Sequence, residues 1–136
     1  MAKPTKLNVL IVEDNSANLM LASAVLRRAG YRVSEARSAE DAIVRLAHSK
    51  PDLILMDVQL PGQDGLALTR QIKADPETAD LIVVALTAHA MKEDRARALD
   101  AGCDGYIAKP INTRTLADEL DGVLRARRLA LGRAAL

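Results

Sequence analysis

The stretch DLILMDVQLPGQDG (52–65) decides the fold. Its apolar run, Leu53 to Met56, has the length of a buried strand and ends on one acid, Asp57. The segment from Val58 to Asp64 carries Pro61 and Gly62, residues that break regular structure and turn the chain. A helix is predicted beyond it, reaching about Lys73. Strand, acid, loop, helix is one unit, and the same alternation extends to both sides.

Upstream, Leu7 to Val12 is a strand-length apolar run followed by polar Glu13, Asp14, Asn15 and Ser16. Asn15 or Ser16 can cap a helix to about Ala29, where Gly30 supplies a stop. Tyr31 to Glu35 alternates like an edge strand. Ser38 opens a second helix to about His48, and Pro51 closes that connection. Downstream, Asp75-Pro76 marks a turn before Leu81 to Leu86, the most continuous buried-strand signal in the chain. A helix from about Met91 to Ala101 stops at Gly102. The short strand Tyr106 to Ala108, the Lys109-Pro110 junction and a helix from about Thr113 to Arg128 complete the pattern.

Five strand-helix units in strict alternation predict an α/β protein with a doubly wound, five-stranded parallel sheet and helices on both faces. Near-continuous apolar strands agree, because such a sheet is buried on both sides. The expectation is one domain over residues 1–136, with its core at about 6–128, a short lead and a basic tail. No internal repeat stands at a fixed period.

Composition narrows the function classes. Hydrophobic residues make up 49% of the chain, yet Phe and Trp are absent and Tyr31 and Tyr106 are the only aromatics, so Leu, Ile, Val, Met and Ala must build the core. A net charge of +1 offers no general attraction to nucleic acid or to an anionic membrane. The single cysteine, Cys103, excludes an internal disulfide and suits a reducing compartment. Met1 to Asn8 lacks an apolar signal core, and no run approaches the ~20 apolar residues of a membrane span. These features predict a soluble cytoplasmic domain with neither nucleic-acid nor membrane partners.

In doubly wound sheets, ligands bind beyond the carboxyl ends of the strands, where the strand order reverses. The polar residues past each predicted strand form a set: Glu13 and Asp14, then Asp57, Thr87 and Lys109. Three carboxylates brought together repel, so such a site raises a pKa or recruits a cation. An oxygen-rich acidic cluster suits a hard ion such as magnesium. A carboxylate is also a nucleophile toward a phosphoryl group, whose oxygens the ion, Lys109 and the Thr87 hydroxyl would neutralise. Taken alone, Glu13 and Asp14 read as a helix-start pair, Thr87 as a strand-end hydroxyl and Tyr106 as packing. Their company changes the reading to a phosphoryl-acceptor site.

Four motifs, VLIVEDN (9–15), DLILMDVQLPGQDG (52–65), VVALTAHAM (83–91) and GYIAKPI (105–111), stand in an order and spacing that resembles the response-regulator receiver family over roughly residues 6–128. The wording is similar to single-domain regulators and to the receiver modules of hybrid histidine kinases. The resemblance implies a flavodoxin-like fold of strand order 2-1-3-4-5 and a magnesium-dependent phosphorylation switch. Asp57 would accept the phosphoryl group, and Asp14, Asp57 and the main-chain carbonyl of Gln59 would hold Mg2+, with Glu13 acting mainly through water. Thr87 and Tyr106 would be the switch pair. Lys109 would bond the phosphoryl oxygens, and its peptide to Pro110 would be cis. In that family the positions of Gln59 and His89 tune the arrival and departure of the phosphoryl group, so the resemblance implies the same for them here. The donor would be a histidine kinase or a histidine phosphotransfer protein, and the output would pass to a downstream protein target.

Competing functions lack their residues. An aspartate-nucleophile phosphatase usually carries a second Asp two residues past the first, where this chain has Gln59. A flavin or nucleotide carrier needs a phosphate-binding loop after the first strand, and that turn carries Glu13 and Asp14 instead. After Arg128 too few residues remain for a DNA-binding module. The Met1 start and short tail favour a natural full-length protein over an excised module.

Three further features have plain readings. His48 meets solvent or the helix dipole, Cys103 is an inert buried residue, and Arg125, Arg127, Arg128 and Arg133 form a solvated helix end. The first helix is less plain, because Met20, Leu21, Ala24 and Val25 add apolar surface beside the core stripe of Leu19, Ala22 and Leu26. That face is expected to meet helices of the phosphodonor protein.

Overall fold

The computed structural model describes residues 7–60, 64–87 and 92–135, with the backbone alone at 92, 93, 128 and 130–135. Strands and helices alternate as β1 (Asn8–Val12), α1 (Ser16–Arg28), β2 (Arg32–Ala36), α2 (Ala39–His48), β3 (Leu53–Asp57), α3 (Gly65–Ala74), β4 (Ile82–Thr87), α4 (Lys92–Asp100), β5 (Gly105–Ala108) and α5 (Leu116–Ala135). The strands form one sheet in the order β2-β1-β3-β4-β5, with every neighbouring pair parallel. The expected doubly wound fold and strand order are both present.

Alternation along the central strands divides the core in two. Leu10, Val12, Ile54, Met56, Val83 and Ala85 pack with α2, α3 and α4. Val9, Ile11, Leu55, Val84, Leu86 and Ile107 pack with α1 and α5 on the other face. Burying one such aliphatic side chain stabilises the fold by roughly 1.5–3 kcal/mol.

Local chemistry sets the helix ends. Asn15 caps α1 by accepting the Asn18 N–H at 2.9 Å, Ser38 caps α2 through the Asp41 N–H at 3.1 Å, and Asp64 caps α3 through the Leu66 N–H at 2.9 Å. Gly30, at φ 103°, lets the chain leave α1 through the left-handed region.

The structure shifts several expected boundaries. Tyr31 precedes β2 rather than opening it: its N–H bonds the Leu26 carbonyl at 2.9 Å, and its buried ring sends the hydroxyl to Asp121 of α5. The last helix starts at Leu116 instead of Thr113. Asn112 takes the Arg114 N–H on its side chain at 2.9 Å and the Leu116 N–H on its carbonyl at 3.0 Å, turning the chain first. It then runs past Arg128 to Ala135, through residues rich in the good helix formers Ala, Leu and Arg. The expected start at Met91 lies outside the described residues.

Arg127 also departs from its reading as part of a solvated tail. Its Nε stands 3.4 Å from Asp104 Oδ1, while Asp104 Oδ2 accepts from Lys73 Nζ at 3.0 Å and from the Val83 N–H at 2.9 Å. This half-buried ionic cluster ties α3, β4 and α5 together through the residue just before β5. Arg125 is exposed, and the side chains of Arg128 and Arg133 lie outside the described residues.

Candidate functional site

Parallel pairing brings the carboxyl ends of the strands to one edge. Val12 lies beside Met56, Asp57 beside Leu86, and Thr87 beside Ala108. Glu13 is held there by its N–H, which bonds the Ala36 carbonyl at 2.9 Å, and Lys109 by its N–H on the Thr87 carbonyl at 2.7 Å. The order of strands reverses between β1 and β3, so the cleft above them receives the loops after both.

Glu13, Asp14 and Asp57 each present a carboxylate oxygen there, all within 4.8 Å of one another. Glu13 and Asp57 are buried, while Asp14 is exposed at the mouth. Lys109 Nζ lies 3.1 Å from Asp57 Oδ1 and 3.4 Å from Glu13 Oε1. Asp57 Oδ1 also accepts the Gln59 N–H at 3.0 Å. Thr87 is buried at the end of β4.

The electrostatics show what the cluster lacks. Burial, then the hydrogen bond with Asp57, pushes the Glu13 carboxyl up to about 7 from the ordinary 4.5. Burial pulls Lys109 down, but the hydrogen bond and charge of Asp57, with Glu13 behind them, outweigh it and leave the ammonium above its usual value. Among the described residues Glu13 Oε1 has no hydrogen-bond partner; Lys109 stands near it as a charge, without a well-formed bond. Among the described residues, three carboxylates against one ammonium leave two negative charges when all are ionised. Two uncompensated charges, an orphaned buried oxygen and an all-oxygen donor set fit a hard divalent cation.

The family model of the response regulator receiver domain matches residues 9–121. The chain belongs to that family. It is 39% identical over 117 residues to the polar-differentiation response regulator DivK of Brucella ovis, covering 86% of this chain and 95% of that protein. Its fold is similar to that of the chemotaxis response regulator CheY4 of Vibrio cholerae, with a TM-score of 0.83 and 26% identity over 88% of this chain and 99% of that one. It is equally similar in kind to the receiver domain of a signal transduction histidine kinase from Syntrophus aciditrophicus, with a TM-score of 0.79 and 32% identity over 88% and 91%. Receivers are the responding half of two-component signalling, and the acidic pocket of this receiver is of the kind that binds magnesium in the family.

The receiver brings Glu13, Asp14, Asp57, Thr87 and Lys109 to one edge of the sheet. The Lys109–Pro110 peptide is cis. Tyr106 lies further back on β5, opposite Ala85, and is half-buried. Gln59 is exposed just past Asp57, and His89 lies outside the described residues, as do Pro61 and Gly62. His48 sits on its own helix, Nδ1 2.9 Å from the Val44 carbonyl, and Cys103 is buried, its thiol pushed up to about 11 chiefly by that burial. Among the described residues no helix is long and apolar enough to cross a membrane.

Two neighbours of the site were not singled out by sequence reasoning. Arg37, after β2, donates through Nη2 to the Asp14 carbonyl at 3.3 Å and to the Ser16 hydroxyl, bracing the loop that carries Asp14. Gly65 lies against the main chain of Asp57, where a β-carbon would meet the carbonyl oxygen. The arginine carries no local signal, because its target is 23 residues away in the chain.

Proposed function

We propose that this receiver is a phosphorylation switch whose acceptor is Asp57. The observation that carries the reading is the meeting of three carboxylates within 4.8 Å, with Lys109 3.1 Å from one of them. Asp14, Asp57 and the main-chain carbonyl of Gln59 would hold Mg2+, with Glu13 acting through water. When bound, the ion offsets the charge on the incoming phosphoryl oxygens.

Both described donors to Asp57, the Gln59 N–H and the Lys109 ammonium, converge on Oδ1. A carboxylate oxygen of Asp57 attacks phosphorus. The bond from phosphorus to the donor nitrogen of a phosphohistidine breaks, the electron pair leaves with the imidazole, and the imidazole takes up a proton. Lys109 moves from the carboxylate to a phosphoryl oxygen, and the Thr87 hydroxyl donates to another. Hydrolysis later returns inorganic phosphate and the free carboxylate. Gln59 and His89 stand where they would tune that lifetime.

Thr87 and Tyr106 form the switch pair, carrying the state of Asp57 to the surface of α4, β5 and α5. The donor is a histidine kinase or a histidine phosphotransfer protein, met by the apolar face of α1, where Met20 is 72% exposed. The output goes to a downstream protein, in the cytoplasm. Conformation rather than turnover is the product, and self-catalysis is limited to slow uptake from small donors and slow hydrolysis.

The test is intact mass after incubation with acetyl phosphate, with and without magnesium, for the wild type and Asp57→Asn. A magnesium-dependent adduct of one phosphoryl group, lost in the variant, is expected. No adduct under any condition would refute the acceptor reading.

A further inference from the structure

Arg95 of α4 and Tyr106 of β5 make a contact that the acceptor chemistry does not use. The guanidinium carbon lies 4.8 Å from the centre of the tyrosine ring, inside the ~6 Å at which a cation is attracted to a ring face. Its helix neighbours satisfy each other, Arg97 standing 3.8 Å from Asp94. Among the described residues no carboxylate pairs with Arg95, so the ring is its counterpart. Tyr106 also packs, partly buried, against the core cluster that α4 covers with Ala98 and Ala101. The ring is half-buried, with Arg95 over its face.

We infer that Arg95 is a positioning residue of the switch: it holds the Tyr106 ring outward and sets how readily the ring turns in. This rests on the reading of Thr87 and Tyr106 as the switch pair. A contact biases an equilibrium only if it differs between the two states. The guanidinium meets the ring face in the outward position, and an inward turn of the ring gives that contact up. Arg95 therefore opposes the active form in the unphosphorylated receiver. A cation over an exposed ring shifts such a balance by about two- to five-fold.

The test uses the scarcity of aromatics: with two tyrosines and no Phe or Trp, the ring signals of the full chain are uncrowded in proton NMR. Tyr106→Phe assigns them. In the wild type without phosphodonor, the Arg95 side-chain protons should lie upfield through the ring current. Arg95→Gln should move the Tyr106 ring shifts toward those reached by the wild type with magnesium and beryllofluoride, by about two- to five-fold in population. Arg95→Lys should restore most of the difference, and the Tyr31 signals should stay in place.

Unshifted Arg95 protons in the wild type, or Tyr106 signals indifferent to Arg95→Gln, would overturn the inference. The ring-current shift of Arg95 and the response of Tyr106 to Arg95→Gln are both read without phosphodonor. A failed acceptor site therefore removes only the beryllofluoride reference and leaves these two outcomes decisive. A missing mass adduct would instead count against the acceptor site.

Discussion

A β-carbon built on Gly65 would lie 2.0 Å from the main-chain oxygen of Asp57. Both sides of that contact are backbone, so no rotamer relieves it. The first turn of α3 is drawn in this far by the Gly65 N–H, which donates to the Val58 carbonyl at 2.9 Å. The helix thus buttresses β3 where it ends at Asp57. Gly65→Ala should destabilise the receiver by about 1–3 kcal/mol and slow phosphoryl uptake from acetyl phosphate. Urea unfolding with timed mass spectra checks both, and a variant as stable and as quickly labelled as the wild type would contradict the buttress.

The raised Glu13 pKa makes the metal-free receiver sensitive to pH. A carboxyl held up to about 7 in the fold, against 4.5 ordinarily, binds more protons folded than unfolded in that window. Its contribution to stability is therefore present at low pH and declines as pH rises from about 4.5 to about 7. Magnesium favours the ionised form, so its affinity should rise over the approach to pH 7 and level off above it. Thermal melting and magnesium titration across that range check this against Glu13→Gln, whose curves should be flatter on both counts.

Thr87→Ala should leave Asp57 able to take a phosphoryl group while disconnecting it from the distal surface. The measurement is amide NMR of α4, β5 and α5 before and after acetyl phosphate, alongside the mass adduct. Surface shifts as large as those of the wild type would break the proposed linkage.

On α1, Met20 and Leu21 are 72% and 39% exposed, more apolar surface than a helix with one buried face requires. Met20→Glu with Leu21→Glu should cut transfer from a phosphorylated donor protein by about tenfold, roughly the loss of 1.4 kcal/mol of docking energy. Labelling by acetyl phosphate should not change. Equal losses with both donors would place the effect at the acceptor and not at docking.

Asp104→Asn removes the charge that Lys73 and Arg127 share. Breaking a half-buried ionic cluster from one side should cost about 3 kcal/mol, read by urea unfolding. The cluster lies at the start of β5, at the opposite edge of the sheet from Asp57. Labelling of Asp57 in the folded variant should therefore persist, and its loss would mean that the two ends are coupled.

The fold was legible because each strand carries its own evidence: runs such as Leu53–Met56 and Leu81–Leu86 are apolar throughout only when both faces are covered. The candidate site was legible for a related reason. Parallel topology gathers strand ends, so Glu13, Asp14, Asp57, Thr87 and Lys109 could be read as a group from their places after strands. Element ends were less legible, since Tyr31 and Asn112 answer to hydrogen bonds that compete with the local pattern.

What the amino-acid sequence determined alone was the alternation of elements, the residue types at the strand ends and, through four spaced motifs, the family. What only the tertiary structure decided were relations between distant residues: the Glu13 carboxyl raised by burial beside Asp57, Arg37 on the loop of Asp14, Arg95 over Tyr106, and Asp104 between Lys73 and Arg127. The division is physical. Periodicity and capping act within a few residues, whereas desolvation, charge pairing and close approach depend on distances that exist only once the sheet has formed.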